Sequence, residues 1–213
     1  MVNPVDGRAV AESVRAAVEA SSDLTGAVIT GLDTVPAGRE RAEILARVVG
    51  GLKVGGLRVA VLNCGSLRDL AECVLQGVEL VGTDLCWKFA KEGKGIEFTF
   101  QGGDGIGRRG GGGKRAKLSE VEGLKEGKVN VLDFKGGEYT LDTGPMAAGC
   151  KCWACKKHTR AYVHHLLKVS ELLGQILLFI HNLWAVLDAT EQIEEGKGDL
   201  AMEKVWRERF EGV

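Results

Sequence analysis

LRVAVLNCGSLRDLAECVLQGVELVGT, residues 57–83, reads as strand, helix, strand. Leu57 to Asn63 is an apolar run of strand length and predicts a buried strand. Ser66, with Asp69 three residues on, makes a capping box, and Leu67, Leu70 and Val74 then recur at helical spacing. Gly77 closes the helix and Val78 to Thr83 supplies the next strand. Joints this short between strand and helix predict a parallel β/α arrangement.

The alternation extends upstream. Val10, Val14 and Val18 form one apolar stripe over residues 8–20 and predict a helix. Gly26 to Leu32 (GAVITGL) is a short buried strand, and Pro36 precedes a charged run that turns Ile44, Leu45, Val48 and Val49 inward. Proline suits the start of that helix. After Trp87 the period changes: Gly95 to Gln101, Lys128 to Phe134 and Glu138 to Leu141 alternate apolar and polar, which predicts a small antiparallel meander. Between its first two strands lie eight glycines within residues 102–113, followed by Lys114, Arg115 and Lys117, a composition expected of a mobile loop over 102–117. Residues 156–195 return to helical periodicity, and an amphipathic helix from Leu200 to Phe210 ends the chain. Three or four β/α units are too few for a closed (β/α)8 barrel, which takes about 250 residues. The fold class expected is α/β, a partial TIM barrel with a β meander.

With 213 residues, 45% hydrophobic, the chain is long enough to bury a sizeable core. Its net charge of -1 excludes a protein that binds nucleic acid over its whole surface, so any RNA-binding face must be local. Leu172 to Leu187 is the longest apolar stretch, broken by Gly174, Gln175, His181 and Asn182, and it reads as too short and too polar for a transmembrane segment. No basic start followed by an apolar core marks a secretory signal, so the expected location is cytoplasmic.

Two motifs bear on chemistry. Gly105-Ile-Gly-Arg-Arg-Gly110 has the letters of a dinucleotide fingerprint, but more glycine follows it where the pyrophosphate needs a helix N-terminus. A flexible insertion is the better reading. Cys150-Lys-Cys-Trp-Ala-Cys155 places three thiols within six residues, and tetrahedral zinc needs one more soft or imidazole ligand. His158 is near but would crowd the loop, adjacent His164 and His165 face different directions on a helix, and His181 can fold back from a later turn. Spacing alone leaves His181 only slightly ahead of His158.

The run Gly149-Cys-Lys-Cys-Trp-Ala-Cys-Lys-Lys-His-Thr-Arg-Ala-Tyr-Val-His-His-Leu166, with Glu171-Leu-Leu-Gly174 and His181-Asn182, resembles the zinc region of the tRNA-guanine transglycosylases. The resemblance covers about residues 8–195 and corresponds to the C-terminal half of that family's TIM barrel with its zinc subdomain. It implies one Zn(2+) per chain, held by Cys150, Cys152, Cys155 and His181. It also implies three regions: partial barrel units over 1–95, a meander with its insertion over 96–142, and a zinc-binding subdomain with C-terminal helices over 143–213.

Catalytic members of the family carry a strand resembling Gly-Val-Asp-Leu-Phe-Asp, whose last Asp attacks ribose C1′. This chain has Gly77-Val-Glu-Leu-Val-Gly82, and glycine has no side chain to attack with. The family's following Pro-Thr-Arg is here Cys86-Trp87-Lys88. Asp84 shares a strand face with Gly82 but is displaced by roughly 6.6 Å, whereas attack requires atoms within about 3.5 Å. Asp84 catalysis is therefore only an alternative. The resemblance thus implies a non-catalytic accessory subunit, with a catalytic transglycosylase subunit and tRNA as partners and a peripheral association with the mitochondrial outer membrane. Lys151, Lys156, Lys157, Arg160 and Lys168, in a segment without an acid, are the expected tRNA contacts. Trp153, Tyr162 and Trp184 are the expected interface anchors.

Overall fold

The computed structural model describes residues 25–31, 39–99 and 128–195, with isolated helical positions at Glu12, Ala16, Glu19 and Glu208. Most of the expected helix over 8–20, Pro36, the glycine-rich segment 102–117 and the expected helix from Leu200 to Phe210 lie outside the described residues. The chain divides into two compact units, Met1–Leu85 and Cys86–Val213. The boundaries expected at 95 and 142 both fall inside the second.

The first unit contains β1 (Gly26–Ile29), α1 (Arg39–Val54), β2 (Arg58–Val61), α2 (Leu67–Leu75) and β3 (Leu80–Val81). The strands form a parallel sheet in the order β1-β2-β3, with Val28 opposite Ala60 and Ala60 opposite Leu80. Gly56 (φ 74°) and Gly77 (φ 71°) end the two helices in the same way. Each glycine N–H bonds the carbonyl three residues back, and the next residue's N–H reaches five back (Leu57 to Leu52, Val78 to Cys73). This left-handed stop is cheapest for glycine. Ser66 caps α2 as expected, its Oγ accepting from the Asp69 N–H at 3.1 Å. The Asp69 carboxylate pairs with Arg41 at 2.5 Å, both side chains buried, and pins α2 to α1.

Val59 and Val61 point to the buried side of the sheet, where Leu45, Val49 and Leu52 of α1 and Leu67, Leu70 and Val74 of α2 form the core. The other face carries Val28, 62% exposed, and Leu80, 63% exposed. The regular part of β3 is shorter than the expected Val78 to Thr83. Beyond it only single bonds continue the pairing: Glu79 N–H to Val59 O, Gly82 N–H to Val61 O and Cys64 N–H to Gly82 O. The Glu79 carboxylate also accepts from the Val59 N–H at 2.7 Å, which holds it below the usual carboxylate range.

The second unit holds α3 (Leu85–Glu92) after its first residue, β4 (Lys94–Thr99), β5 (Lys128–Asp133), α4 (Trp153–Lys157), α5 (Arg160–Lys168) and α6 (Leu172–Glu195). The periodicity of α3 went unread because eight residues give barely two turns. β4 and β5 are antiparallel, in register from Lys94 opposite Asp133 to Thr99 opposite Lys128. The expected third strand of the meander is a 3-10 turn, Gly137–Tyr139. Gly136-Gly137 introduces it and the Thr140 hydroxyl donates to Gly137 O, closing the chain on itself instead of pairing it with β5.

The helical stretch expected over 156–195 is three helices. Thr159 starts α5, its hydroxyl accepting from the Tyr162 N–H. Ser170 (φ 58°) stops it, with Ser170 N–H bonded to Leu167 O and Glu171 N–H to Leu166 O. α6 then runs 24 residues to Glu195, the end of the expected helical stretch. Unlike the apolar run Leu172 to Leu187, read as too short and too polar, it is long and apolar enough to cross a membrane by length and composition alone. One side of it, with Leu177, Leu178, His181, Asn182, Ala185 and Ile193, is buried within the unit. There it joins Phe134, Met146, Ala154 and Val163 in the core.

Candidate metal centre

Cys150 leaves the turn after Gly149, Cys152 caps α4, and Cys155 lies in that helix. The Cys152 Sγ accepts from the Cys155 N–H at 3.2 Å, so the cap brings two of the three sulfurs together. α6 supplies the fourth group. His181 Nδ1 lies 3.6 Å from Cys150 Sγ, 3.7 Å from Cys152 Sγ and 3.4 Å from Cys155 Sγ. All four ligand atoms fall within 4.8 Å of one another. A tetrahedron with Zn–S of about 2.3 Å and Zn–N of about 2.0 Å has S···N edges of roughly 3.6 Å, which the three S···N distances match, so the donor set fits zinc.

The histidine tautomer is set from behind. His181 Nε2 lies 2.9 Å from Ile96 O in β4, and as the N–H donor there it leaves the Nδ1 lone pair toward the sulfurs. Asn182, with no exposed surface, fastens the same strand: its Oδ1 accepts from the Ile96 N–H at 2.9 Å and its Nδ2 donates to Lys94 O at 3.0 Å and Cys86 O at 3.3 Å. The His-Asn pair thus takes both main-chain groups of Ile96 that β5 leaves unused. Burial opposes charge on His181, but the Cys152 and Cys155 sulfurs outweigh it and push its pKa up to about 9. Hydrogen bonds from Cys150 and Cys152, then His181, hold the Cys155 thiol far below its ordinary range, while the same network pushes Cys150 up. Negative charge is thus drawn to the Cys155 sulfur, one of the three that a cation would share.

His158 is not a ligand. Its ring lies between Trp153, 5.3 Å away edge-on, and Tyr162, stacked at 5.1 Å. His164 is buried, with Nδ1 2.9 Å from Phe134 O and Nε2 3.4 Å from the Thr140 hydroxyl. Trp153 is 56% exposed and Tyr162 38%, whereas Trp184 packs partly buried against the core. Four of the five expected cations, Lys151, Lys156, Lys157 and Lys168, are exposed. Arg160 stands apart: it bonds Asp142 at 3.1 Å and Met146 O at 3.2 Å, lies 3.7 Å from Glu97, and serves the fold instead of the surface.

In the first unit, β3 ends at Val81, so Gly82 and Asp84 lie in the turn into α3 and not on one strand face. Asp84 is exposed. The Thr83 hydroxyl shapes the turn, donating to Cys64 O at 2.7 Å and accepting from the Leu85 N–H at 3.2 Å. A Cβ placed on Gly82 would lie 2.7 Å from Leu62 Cδ2, the end of a partly exposed side chain, and Gly82 itself offers no group that could attack.

The Queuine tRNA-ribosyltransferase family model matches residues 2–209. The chain belongs to this family. Among curated relatives, it is 37% identical over 114 residues to a Drosophila grimshawi protein, covering 54% of this chain and 23% of that one. It is 48% identical over 126 residues to a Drosophila sechellia protein (59% and 25%) and 35% identical over 113 residues to one from Anopheles gambiae (53% and 22%). All three carry the name queuine tRNA-ribosyltransferase accessory subunit 2. The chain matches about a quarter of the length of these relatives.

Proposed function

We propose that this chain is a non-catalytic subunit of a queuine tRNA-ribosyltransferase, the complex that exchanges guanine for queuine at the tRNA wobble position. The observation that carries this reading is Gly82, which offers no side chain where the resembling catalytic strand ends in Asp, in a chain whose relatives are named accessory subunits. The catalytic subunit supplies the attacking carboxylate and the base pocket, and Asp84, exposed in a helix-leading turn, does not replace it. Four ligands fill the zinc tetrahedron, so the metal is a structural cross-link between α4 and α6 with no open position for chemistry.

The uncovered sheet face with Val28 and Leu80 supports a partial (β/α)8 barrel, because all-parallel sheets are normally buried on both faces. The heterodimer surface we assign combines the exposed Trp153 and Tyr162 with the outer row of α6, Leu173, Ile176, Leu183 and Leu187, spaced as a helix-packing stripe. Lys151, Lys156, Lys157 and Lys168 supply phosphate contacts to tRNA. Co-purification with a catalytic transglycosylase tests the pairing: a complex that Leu183→Lys breaks, with zinc retained, is expected. A chain that stays monomeric beside the catalytic subunit contradicts it.

A further inference from the structure

Two cysteines meet in the first unit, which holds none of the metal ligands. Cys64 lies in the loop between β2 and α2, Cys73 in α2, and both are free and buried with their sulfurs 3.7 Å apart. They are held from different places. Cys73 rides on the helix, whereas the Cys64 main chain is tied to the turn after β3, its N–H donating to Gly82 O at 3.1 Å and its carbonyl accepting from the Thr83 hydroxyl at 2.7 Å. Asn63, just before it, takes the left-handed conformation (φ 61°) that few side chains adopt. A single buried cysteine is a small apolar filler. A pair whose sulfurs already touch is two electrons and roughly 1.7 Å short of a disulfide, whose S–S bond is about 2.05 Å. The two thiols are also unequal. The hydrogen bond to Cys64, then burial, then the charges of Cys64, Asp69 and Glu72 push the Cys73 thiol up, so Cys73 keeps its proton and donates it to the Cys64 sulfur. Cys64 stands between exposed Asn63 and Gly65, where a local opening of the loop bares its sulfur first.

We propose that Cys64 and Cys73 are a redox pair that a hydroperoxide closes into an intramolecular disulfide, cross-linking the β2–α2 loop to α2. In the first step the Cys64 sulfur, its proton lost, attacks one peroxide oxygen; the S–O bond forms, the O–O bond breaks, and the departing hydroxide takes up that proton as water. In the second the Cys73 sulfur attacks the Cys64 sulfenic acid; the S–S bond forms, the S–O bond breaks, and the hydroxyl leaves with the Cys73 proton as a second water. Two thiols are oxidised by two electrons and one peroxide is reduced to two waters. A thiol reductant reverses the bond by exchange. The disulfide fixes the loop that carries the two bonds to Gly82 and Thr83, so the redox state of the pair sets how firmly that turn is held. This inference is independent of the subunit reading, and its failure leaves that reading standing.

The test treats the zinc-loaded full chain with hydrogen peroxide, blocks remaining thiols with iodoacetamide under denaturing conditions, and maps the cysteines by mass spectrometry. Trypsin, cutting after Arg68, separates Cys64 from Cys73, and a glutamate-specific protease, cutting after Glu79, separates Cys73 from Cys86. The Cys64 and Cys73 peptides are expected to be recovered joined, and to separate on treatment with dithiothreitol. The oxidised protein is expected to unfold at a urea midpoint higher by about 1 M, because the cross-link restrains the unfolded chain. Cys73→Ala is expected to leave Cys64 as a sulfenic acid that dimedone captures, and Cys64→Ala to leave Cys73 reduced. Recovery of both cysteines alkylated after peroxide overturns the proposal in favour of two inert core fillers. Cys64 recovered as a sulfinic acid without a cross-link, or joined to Cys86 or to Cys150, Cys152 or Cys155, overturns it as well. Where a variant fails to fold, the map of the wild-type chain decides alone.

Discussion

Asn182 satisfies three main-chain groups from a fully buried position, two in β4 and one in α3. Removing its amide strands the Ile96 N–H and the Lys94 carbonyl away from water, while Cys86 O keeps its place in the α3 ladder. Asn182→Ala is therefore expected to destabilise the second unit by on the order of 3 kcal/mol, read as the urea midpoint of the zinc-loaded protein. A change below about 0.5 kcal/mol would show that water replaces the amide. At the same scale, Cys152→Ser is expected to lose stoichiometric zinc, while His158→Ala, acting on a ring that only stacks between Trp153 and Tyr162, retains one equivalent by metal analysis. The cysteines were legible because their spacing is local. The choice of His181 over His158 was not legible from spacing, because it depends on where a helix some twenty-five residues further on folds back. The resemblance named His181, and the geometry shows why it is suitable: β4 fixes its tautomer.

Among the elements, α5 owes both its start and its stop to single residues. Ser170 adopts a left-handed conformation that glycine takes without strain, so Ser170→Gly is expected to raise stability by up to about 1 kcal/mol and Ser170→Val to lower it, both checked by thermal unfolding. Arg160 ties this helix to Asp142, whose carboxyl is held below the usual range first by the Gly144 N–H and then by Arg160. A lowered carboxylate pKa stabilises the fold above the unfolded value, and the contribution disappears as pH falls through the folded value. Arg160→Ala is therefore expected to lower the urea midpoint at neutral pH, with the gap to wild type closing as acid protonates Asp142. α2 was read close to its observed limits because Ser66 and Gly77 mark its ends locally, whereas α1 was legible only as an inward apolar stripe and β2 is shorter than the run Leu57 to Asn63. The third meander strand was misread: alternation over Glu138 to Leu141 is compatible with a strand, but the Gly136-Gly137 turn and the Thr140 hydroxyl favour a 3-10 turn.

For the molecule as a whole, the sequence conveyed the β/α order, but periodicity does not say which elements share a core. Ile96 belongs with the candidate metal ligands because His181 and Asn182 hold its main chain, a link spanning some eighty-five positions. The central claim concerns catalysis, and incorporation of labelled guanine into tRNA tests it most directly, using the purified chain, the catalytic subunit and the two combined. We expect no incorporation by the chain alone, with or without Asp84→Asn, and incorporation whenever the catalytic subunit is present. Incorporation by the chain alone, abolished by Asp84→Asn, would contradict the account and make this subunit an enzyme in its own right.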